Sequence, residues 1–266
     1  MKLVDSHAHL DDSRFAADLP EVLRRARDAG VGEILTIACL GEDPRHSWDR
    51  VRAILDEETG IRAAAGVHPH DARYWSSETV AVLEEALAHP KVAAVGEIGL
   101  DYHYDNSPRD VQREVFQRQL ELAANRGLPV IIHTREADAD TVRLLRRHWE
   151  AHRPAGERVI LHCFSGSEEL AEAGREMGFY FGIGGVITFR KAERLRGVVA
   201  GLPLDRLLLE TDCPYLAPEP KRGRRNEPAF LPYILCRLAE VCGRKDEEVA
   251  RATTENFRRL LDPIAG

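Results

Sequence analysis

Eight short apolar runs, rich in branched side chains, recur at fairly even intervals along the 266-residue chain: Leu3–Val4, Glu33–Ala38, Ile61–Val67, Val92–Ile98, Val130–Ile132, Val159–Leu161, Phe179–Ile183 and Leu207–Leu209. Runs of this length and composition read as strands buried on both faces. Between them lie charged segments whose apolar residues return at helical spacing, such as Leu19, Val22, Leu23 and Ala26, or Val115, Phe116, Leu120 and Ala123. Gly30, Gly127 and Gly178 stand where a helix must stop before the next strand. Strands alternating with helices pair in parallel, because each helix carries the chain back to the start of the next strand. Eight such units in a chain of this length predict an α/β fold: a single TIM-like (β/α)8 barrel, residues 1–266 forming one domain. An open doubly wound sheet is the alternative, but no Gly-x-Gly-x-x-Gly follows the first strand.

The one irregular stretch, Cys213 to Pro232, holds five prolines and the basic cluster Lys221-Arg222-Gly223-Arg224-Arg225. It reads as a loop, since the segments after it are apolar enough to form a closing C-terminal helical pair. Lys plus Arg number 37 against 44 Asp plus Glu, a net charge of −7, so the chain does not coat nucleic acid by bulk charge and any polyanion must be gripped locally. Five cysteines with no Cys-x-x-Cys pair predict reduced thiols. The polar N-terminus does not read as a signal peptide, and no run approaches the ~18 apolar residues of a membrane span. The expectation is a cytoplasmic monomer with no membrane association and no obligate protein partner.

In a parallel barrel the active site lies at the carboxyl ends of the strands, so polar residues that directly follow apolar runs are the ones to inspect. After the first run come His7 and His9, which alternation puts on one side of the strand, about 7 Å apart along the backbone. After the fourth comes Glu97, after the fifth His133, after the sixth His162 and after the eighth Asp212. Alone, a histidine at a strand end is more often a hydrogen-bonded residue, and a carboxylate there a helix cap. Four imidazoles and two carboxylates converging on one mouth instead make a ligand set for two divalent ions, with zinc, manganese or magnesium favoured over a thiolate-selected metal. Glu97, with the longer reach, is the natural bridge. His68, after the third run, faces the same mouth as a substrate contact or an extra ligand, whereas His70 lies further along and caps or orders the loop. His148 and His152 share a helix face next to Arg153-Pro154, far from any strand's carboxyl end, and read as surface residues.

The chain resembles the TatD-type metal-dependent hydrolases of the amidohydrolase superfamily from end to end. The matching segments are Asp5-Ser6-His7-Ala8-His9-Leu10, Gly66-Val67-His68-Pro69-His70, Gly96-Glu97-Ile98-Gly99-Leu100-Asp101-Tyr102, Ile132-His133-Thr134-Arg135, His162-Cys163-Phe164-Ser165-Gly166, Glu210-Thr211-Asp212-Cys213-Pro214-Tyr215-Leu216 and Arg225-Asn226-Glu227-Pro228. Cys213 stands where many members have Ser. The resemblance implies a two-metal site with His7, His9 and Asp212 on one ion, His133 and His162 on the other, and Glu97 shared. It also implies hydrolysis of phosphodiester bonds in DNA, cutting from a strand end. Two close ions acidify a water and draw charge off phosphoryl oxygens. Asp212 then serves as ligand and general base, with Glu97 as the second catalytic carboxylate, and His68 steadies a phosphate. The basic loop, through Arg224 and Arg225, would grip the substrate backbone. Tyr102, Tyr215 and Phe164 would either stack on bases at the rim or pack. Two other readings compete: an amidohydrolase or esterase of a small substrate, since the same ions polarise a carbonyl, and a non-catalytic metal-binding barrel.

Overall fold

The computed structural model of the protein describes residues 2–152, 158–165 and 167–261; Arg153-Pro154 and Gly166 lie outside them. Eight strands form one parallel sheet in sequential order: β1 (Leu3–Ala8), β2 (Val31–Cys39), β3 (Ile61–Gly66), β4 (Val92–Asp101), β5 (Val130–Arg135), β6 (Val159–Leu161), β7 (Tyr180–Ile183) and β8 (Leu207–Leu209). Contacts between the end of β1 and the residues just past β8 close it. His9 N–H donates to Cys213 O (2.8 Å) and Asp212 N–H to His7 O (2.9 Å), with Ala8 and Cys213 forming a parallel bridge. The result is the (β/α)8 barrel that the strand–helix alternation predicts.

Among the described residues seven α-helices run between the strands: α1 (Leu19–Asp28), α2 (Pro44–Glu57), α3 (Ser77–Ala88), α4 (Arg109–Arg126), α5 (Asp138–Ala151), α6 (Glu168–Met177) and α7 (Glu193–Ala200). Their starts follow capping chemistry: Asp43 accepts from His46 N–H ahead of Pro44, and Ser76 and Ser167 accept from Thr79 and Leu170 N–H. Gly127 and Gly178 end α4 and α6 in the left-handed conformation, at φ 63° and 73°, where a side chain is disfavoured.

Two helices follow the irregular stretch: α8 (Leu231–Cys242), packed on α7, and α9 (Asp246–Leu261). The second closes the barrel from below. Its Phe257, Leu260 and Leu261 join Val4, Leu35, Ile37, Ala64, Ala94, Ile131, Ile160, Tyr180 and Leu208 in the core enclosed by the strands. Side chains take up carbonyls at the lower rim: from α9, Asn256 Nδ2 donates to Leu204 O (2.9 Å) and Leu207 O (2.8 Å), and Arg158, just before β6, donates to Leu260 O of α9 (2.7 and 2.9 Å). No helix among the described residues is long and apolar enough to cross a membrane.

The strands differ from the apolar runs mostly at their upper ends. β6 and β8 match to the residue, but β1, β4 and β5 run on to Ala8, Asp101 and Arg135, so His7, Asp101 and His133 join Glu97 on strand backbone. The polar residues there continue the ladder because the mouth buries them: His7 is 0 % and Glu97 3 % exposed.

Candidate metal centre

Five imidazoles and two carboxylates meet at the mouth. From β1, His7 and His9 do project to one side, their Nε2 atoms 3.3 Å apart. Glu97, from β4, stands between two groups and turns one carboxylate oxygen to each. Oε2 lies 3.4 Å from His7 Nε2 and 3.8 Å from His9 Nε2. Oε1 lies 2.9 Å from His133 Nδ1, 3.6 Å from His162 Nε2 and 3.7 Å from His68 Nε2. Asp212 closes the circle with Oδ1 3.4 Å from His9 Nε2 and 3.8 Å from His162 Nε2, while the His7 and His162 rings stack at 3.4 Å. Every residue that the strand-end argument picked is in this one cluster.

The donor set fits divalent cations. Ligand atoms on a sphere of about 2.1 Å radius lie about 3.0 Å apart in octahedral and about 3.4 Å apart in tetrahedral geometry. The first group shows 3.3, 3.4, 3.4 and 3.8 Å, long for shared protons and close to the spacing of neighbouring ligands. The donor atoms of His7, His9 and Glu97 all lie within 4.8 Å of one another, as do those of His68, Glu97 and His133. Burial pushes the Glu97 carboxyl up, but electrostatic attraction to the surrounding imidazoles, His162 foremost, and hydrogen bonding to His133 and His7 outweigh it and hold it well below the ordinary range. For Asp212 burial likewise raises, and His9 and His162 more than offset it. Both carboxylates are therefore anionic.

A supporting layer fixes these side chains, and its three acids carried no role in the sequence reading. Glu210, 0 % exposed, lies 2.9 Å from His162 Nδ1 and accepts Cys163 N–H at 2.6 Å. His162 Nδ1 lies close to Glu210 without the alignment of a hydrogen bond. Asp101 accepts from both His133 Nε2 and His70 Nε2 at 3.0 Å, so His70 orders the rim as expected. Asp5 ties β1 to the end of β8, accepting Thr211 N–H (2.9 Å), Thr211 Oγ1 (2.6 Å) and His7 N–H (3.3 Å). Such carboxylate partners orient ligands and set their basicity. The available signal was periodicity: Asp5 and Glu210 each precede a ligand by two residues, and Asp101 follows Glu97 by four on the same strand. Two buried glutamines of α4 complete the frame, Gln119 bonding Val67 N–H and C=O beside His68, and Gln112 bonding Asp101 N–H and C=O.

His68 is neutral and its tautomer is set. Burial drives its pKa well below the ordinary value, and Nδ1 accepts His70 N–H at 3.2 Å, so the ring proton sits on Nε2, aimed into the site. Asp212 and Cys163 hold left-handed backbone at φ 55° and 45°, unusual for side-chain-bearing residues and a sign that the surroundings dictate the turn.

The basic loop divides. Arg225 is spent on structure: its guanidinium pairs with both carboxylate oxygens of Asp18 (2.7 and 2.6 Å), donates to Arg14 O and stacks on the Phe15 ring. Arg224 is exposed. Among the rim aromatics, Phe164 is 3 % exposed against Phe181, and Tyr102 is half-buried with its hydroxyl on Asp140 Oδ2 (2.6 Å). Both therefore pack, leaving Tyr215 open at 46 % exposure. His148 and His152 form a half-buried ring pair at 4.8 Å, less exposed than expected because the face they share is partly covered.

Comparison with known proteins shows what the chain is similar to. The family model described as TatD related DNase matches residues 4–262. The "Uncharacterized metal-dependent hydrolase YabD" of Bacillus subtilis is 44 % identical over 259 residues, covering 97 % of this chain and 98 % of the relative. The "3'-5' ssDNA/RNA exonuclease TatD" of Edwardsiella piscicida is 39 % identical over 269 residues, covering 99 % and 100 %. The crystal structure of YJJV, a TatD homolog from Escherichia coli K12, superposes with a TM-score of 0.89 at 34 % identity over 98 % of both chains.

Proposed function

Since the chain belongs to the TatD related DNase family, whose relatives here include metal-dependent hydrolases, we propose that it hydrolyses phosphodiester bonds of DNA from a strand end, using two divalent ions of the magnesium, manganese or zinc class. The observation that carries this reading is Glu97, one oxygen turned to His7 and His9 and the other to His133, His162 and His68. In this reading His7, His9 and Asp212 would hold one ion and His133 and His162 the other, with Glu97 within reach of both. The ions, when bound, acidify the attacking water and offset charge on the phosphoryl oxygens. The chain's own groups do the rest. Asp212, an anion facing the mouth, accepts the proton of the water and returns it to the leaving oxygen. His68 donates its Nε2 proton to a phosphoryl oxygen and cannot supply a lone pair from that nitrogen while His70 N–H occupies Nδ1, which favours substrate contact over ligation. Glu210 and Asp101 keep His162 and His133 in register. Arg224 extends a positive charge toward the substrate backbone, a local grip on an otherwise acidic molecule. A relative named as an exonuclease of single-stranded DNA and RNA supports the choice of bond. The reading takes the chain as one domain acting as a cytoplasmic monomer; five free thiols support the compartment.

End-labelled single-stranded DNA incubated with the protein and magnesium or manganese tests it. Wild type digests the strand, and Asp212→Asn is slower by about 100-fold or more, the usual scale for losing a positioned base. Equal, slow digestion by both proteins refutes the assignment.

A further inference from the structure

Two tyrosines stand open at the mouth, and each is built in the same way. Tyr104 is 55 % exposed, with the Arg135 guanidinium 4.7 Å from its ring centroid and the His70 ring perpendicular to it at 5.3 Å. Tyr215 is 46 % exposed, with the Arg14 guanidinium at 4.3 Å and the His9 ring nearly perpendicular at 5.8 Å. Each pair joins an exposed ring and a cation to a histidine of the centre or its rim.

Their places in the barrel are opposed. Tyr104 rides the turn after β4 and its arginine ends β5; Tyr215 follows β8 and its arginine lies beyond β1. In a closed eight-stranded sheet running in order from β1 to β8, β4 and β5 face β8 and β1 across the mouth. The metal centre thus sits between two aromatic platforms. Both platforms are anchored. Asp101 Oδ1 accepts His103 N–H (3.1 Å) and Tyr104 N–H (2.9 Å), fixing the turn that carries Tyr104. Asn226 Nδ2 donates to Tyr215 O (2.6 Å), and Arg14 is locked by two contacts to Asp12 (2.8 and 2.7 Å).

We infer that these two Tyr–Arg pairs form a bipartite stacking clamp that seats unpaired bases on either side of the scissile phosphate. The inference rests on the nuclease reading above and extends it to how the strand is held. Bases inside a duplex already spend their faces on one another, so only an unpaired strand can lay a base on each ring. Every base has a π-face, so the clamp is tolerant of sequence. The arginines bring positive charge beside the rings, where flanking phosphates pass.

The test uses the metal-loaded protein and two single-stranded oligonucleotides of equal length, one with all its bases and one abasic throughout. Tyr104→Ala and Tyr215→Ala each raise KM for the normal strand roughly tenfold, within the range for losing one stacked base. On the abasic strand the same substitutions change KM by less than about twofold, because the partner of the ring is already gone. Tyr104→Phe and Tyr215→Phe, which keep the ring, restore the normal-strand KM. Equal effects on both strands would show that the tyrosines only shape the rim, and no effect on the normal strand would show that they do not touch it; either overturns the clamp while the nuclease reading stands. A wild-type protein that cleaves neither strand overturns the nuclease reading, and the clamp with it.

Discussion

Replacing Gly182 with alanine should disable the metal centre from a residue that bears no side chain. A Cβ at Gly182, in β7, would lie 2.0 Å from Glu210 Oε2 and 2.6 Å from Glu210 Cδ. Ordinary contact needs more than an additional ångström, so the Glu210 carboxylate must retreat. It has nowhere neutral to go, being 0 % exposed and engaged by Cys163 N–H and His162. Overpacking costs about 1–3 kcal/mol, and the weakened contacts to a charged acceptor about 1.5–3 kcal/mol more. With each kcal/mol worth roughly 2–4 °C in a domain of this size, the melting temperature falls by about 5–20 °C. Because Glu210 steadies His162, divalent-ion affinity drops by about 10–100-fold as well. Differential scanning calorimetry and metal titration read the two effects. Gly197→Ala, in the middle of α7 with nothing within 4 Å of the new Cβ, is the control, and should stabilise by about 0.5–1 kcal/mol. Glu210→Asp placed beside Gly182→Ala makes room and recovers part of the melting temperature without the ion affinity. If Gly182→Ala melts within 1 °C of wild type and binds metal normally, the role given to Glu210 is wrong.

Two further outcomes follow from other parts of the molecule. Arg225→Glu sets a like charge against Asp18 and should destabilise by about 1–2 kcal/mol, the scale of an exposed but bidentate pair with added stacking, whereas Arg224→Glu should leave the melting temperature within about 1 °C and raise KM for DNA; equal stability losses would contradict the division of the loop. His148 is pushed down to about 4, first by burial and then by the neighbouring His152. Its folded pKa lies below the ordinary value of about 6.5, so the unfolded chain binds the extra proton and stability is lost as pH falls from 6.5 toward 4. The half-exposed ring limits the loss to about 1–2 kcal/mol, and His148→Gln should lessen the drop in melting temperature between pH 7 and pH 5; an unchanged drop would exclude this contribution.

The barrel was legible because its burial pattern is local. Strands such as Val159–Leu161 and Leu207–Leu209 are apolar throughout, being enclosed by helices on one side and the barrel core on the other. The clustering of the candidate ligands was legible for a related reason: a parallel barrel sends every strand's carboxyl end to one mouth, so position along a run is enough to place His7, Glu97, His133, His162 and Asp212 together. What stayed hidden depends on partners distant in sequence. Arg225 looks like its neighbour Arg224 until Asp18, 207 residues earlier, is seen beneath it. Glu210 and Asp5 look like ordinary strand-end acids until the folded register sets one on His162 and the other on Thr211. The rim aromatics depended on turn geometry: a single residue, His103, separates Tyr102, which packs, from Tyr104, which faces solvent.

The central claim is that Glu97 joins two ions, and counting ions per chain tests it most directly. Metal analysis of reconstituted wild-type protein beside Glu97→Gln, with DNA hydrolysis measured on the same samples, should find two divalent ions in wild type, and in the variant a folded barrel that has lost at least one of them along with its activity. A single ion in fully active wild type, or a Glu97→Gln protein that keeps two ions and digests DNA normally, would contradict it.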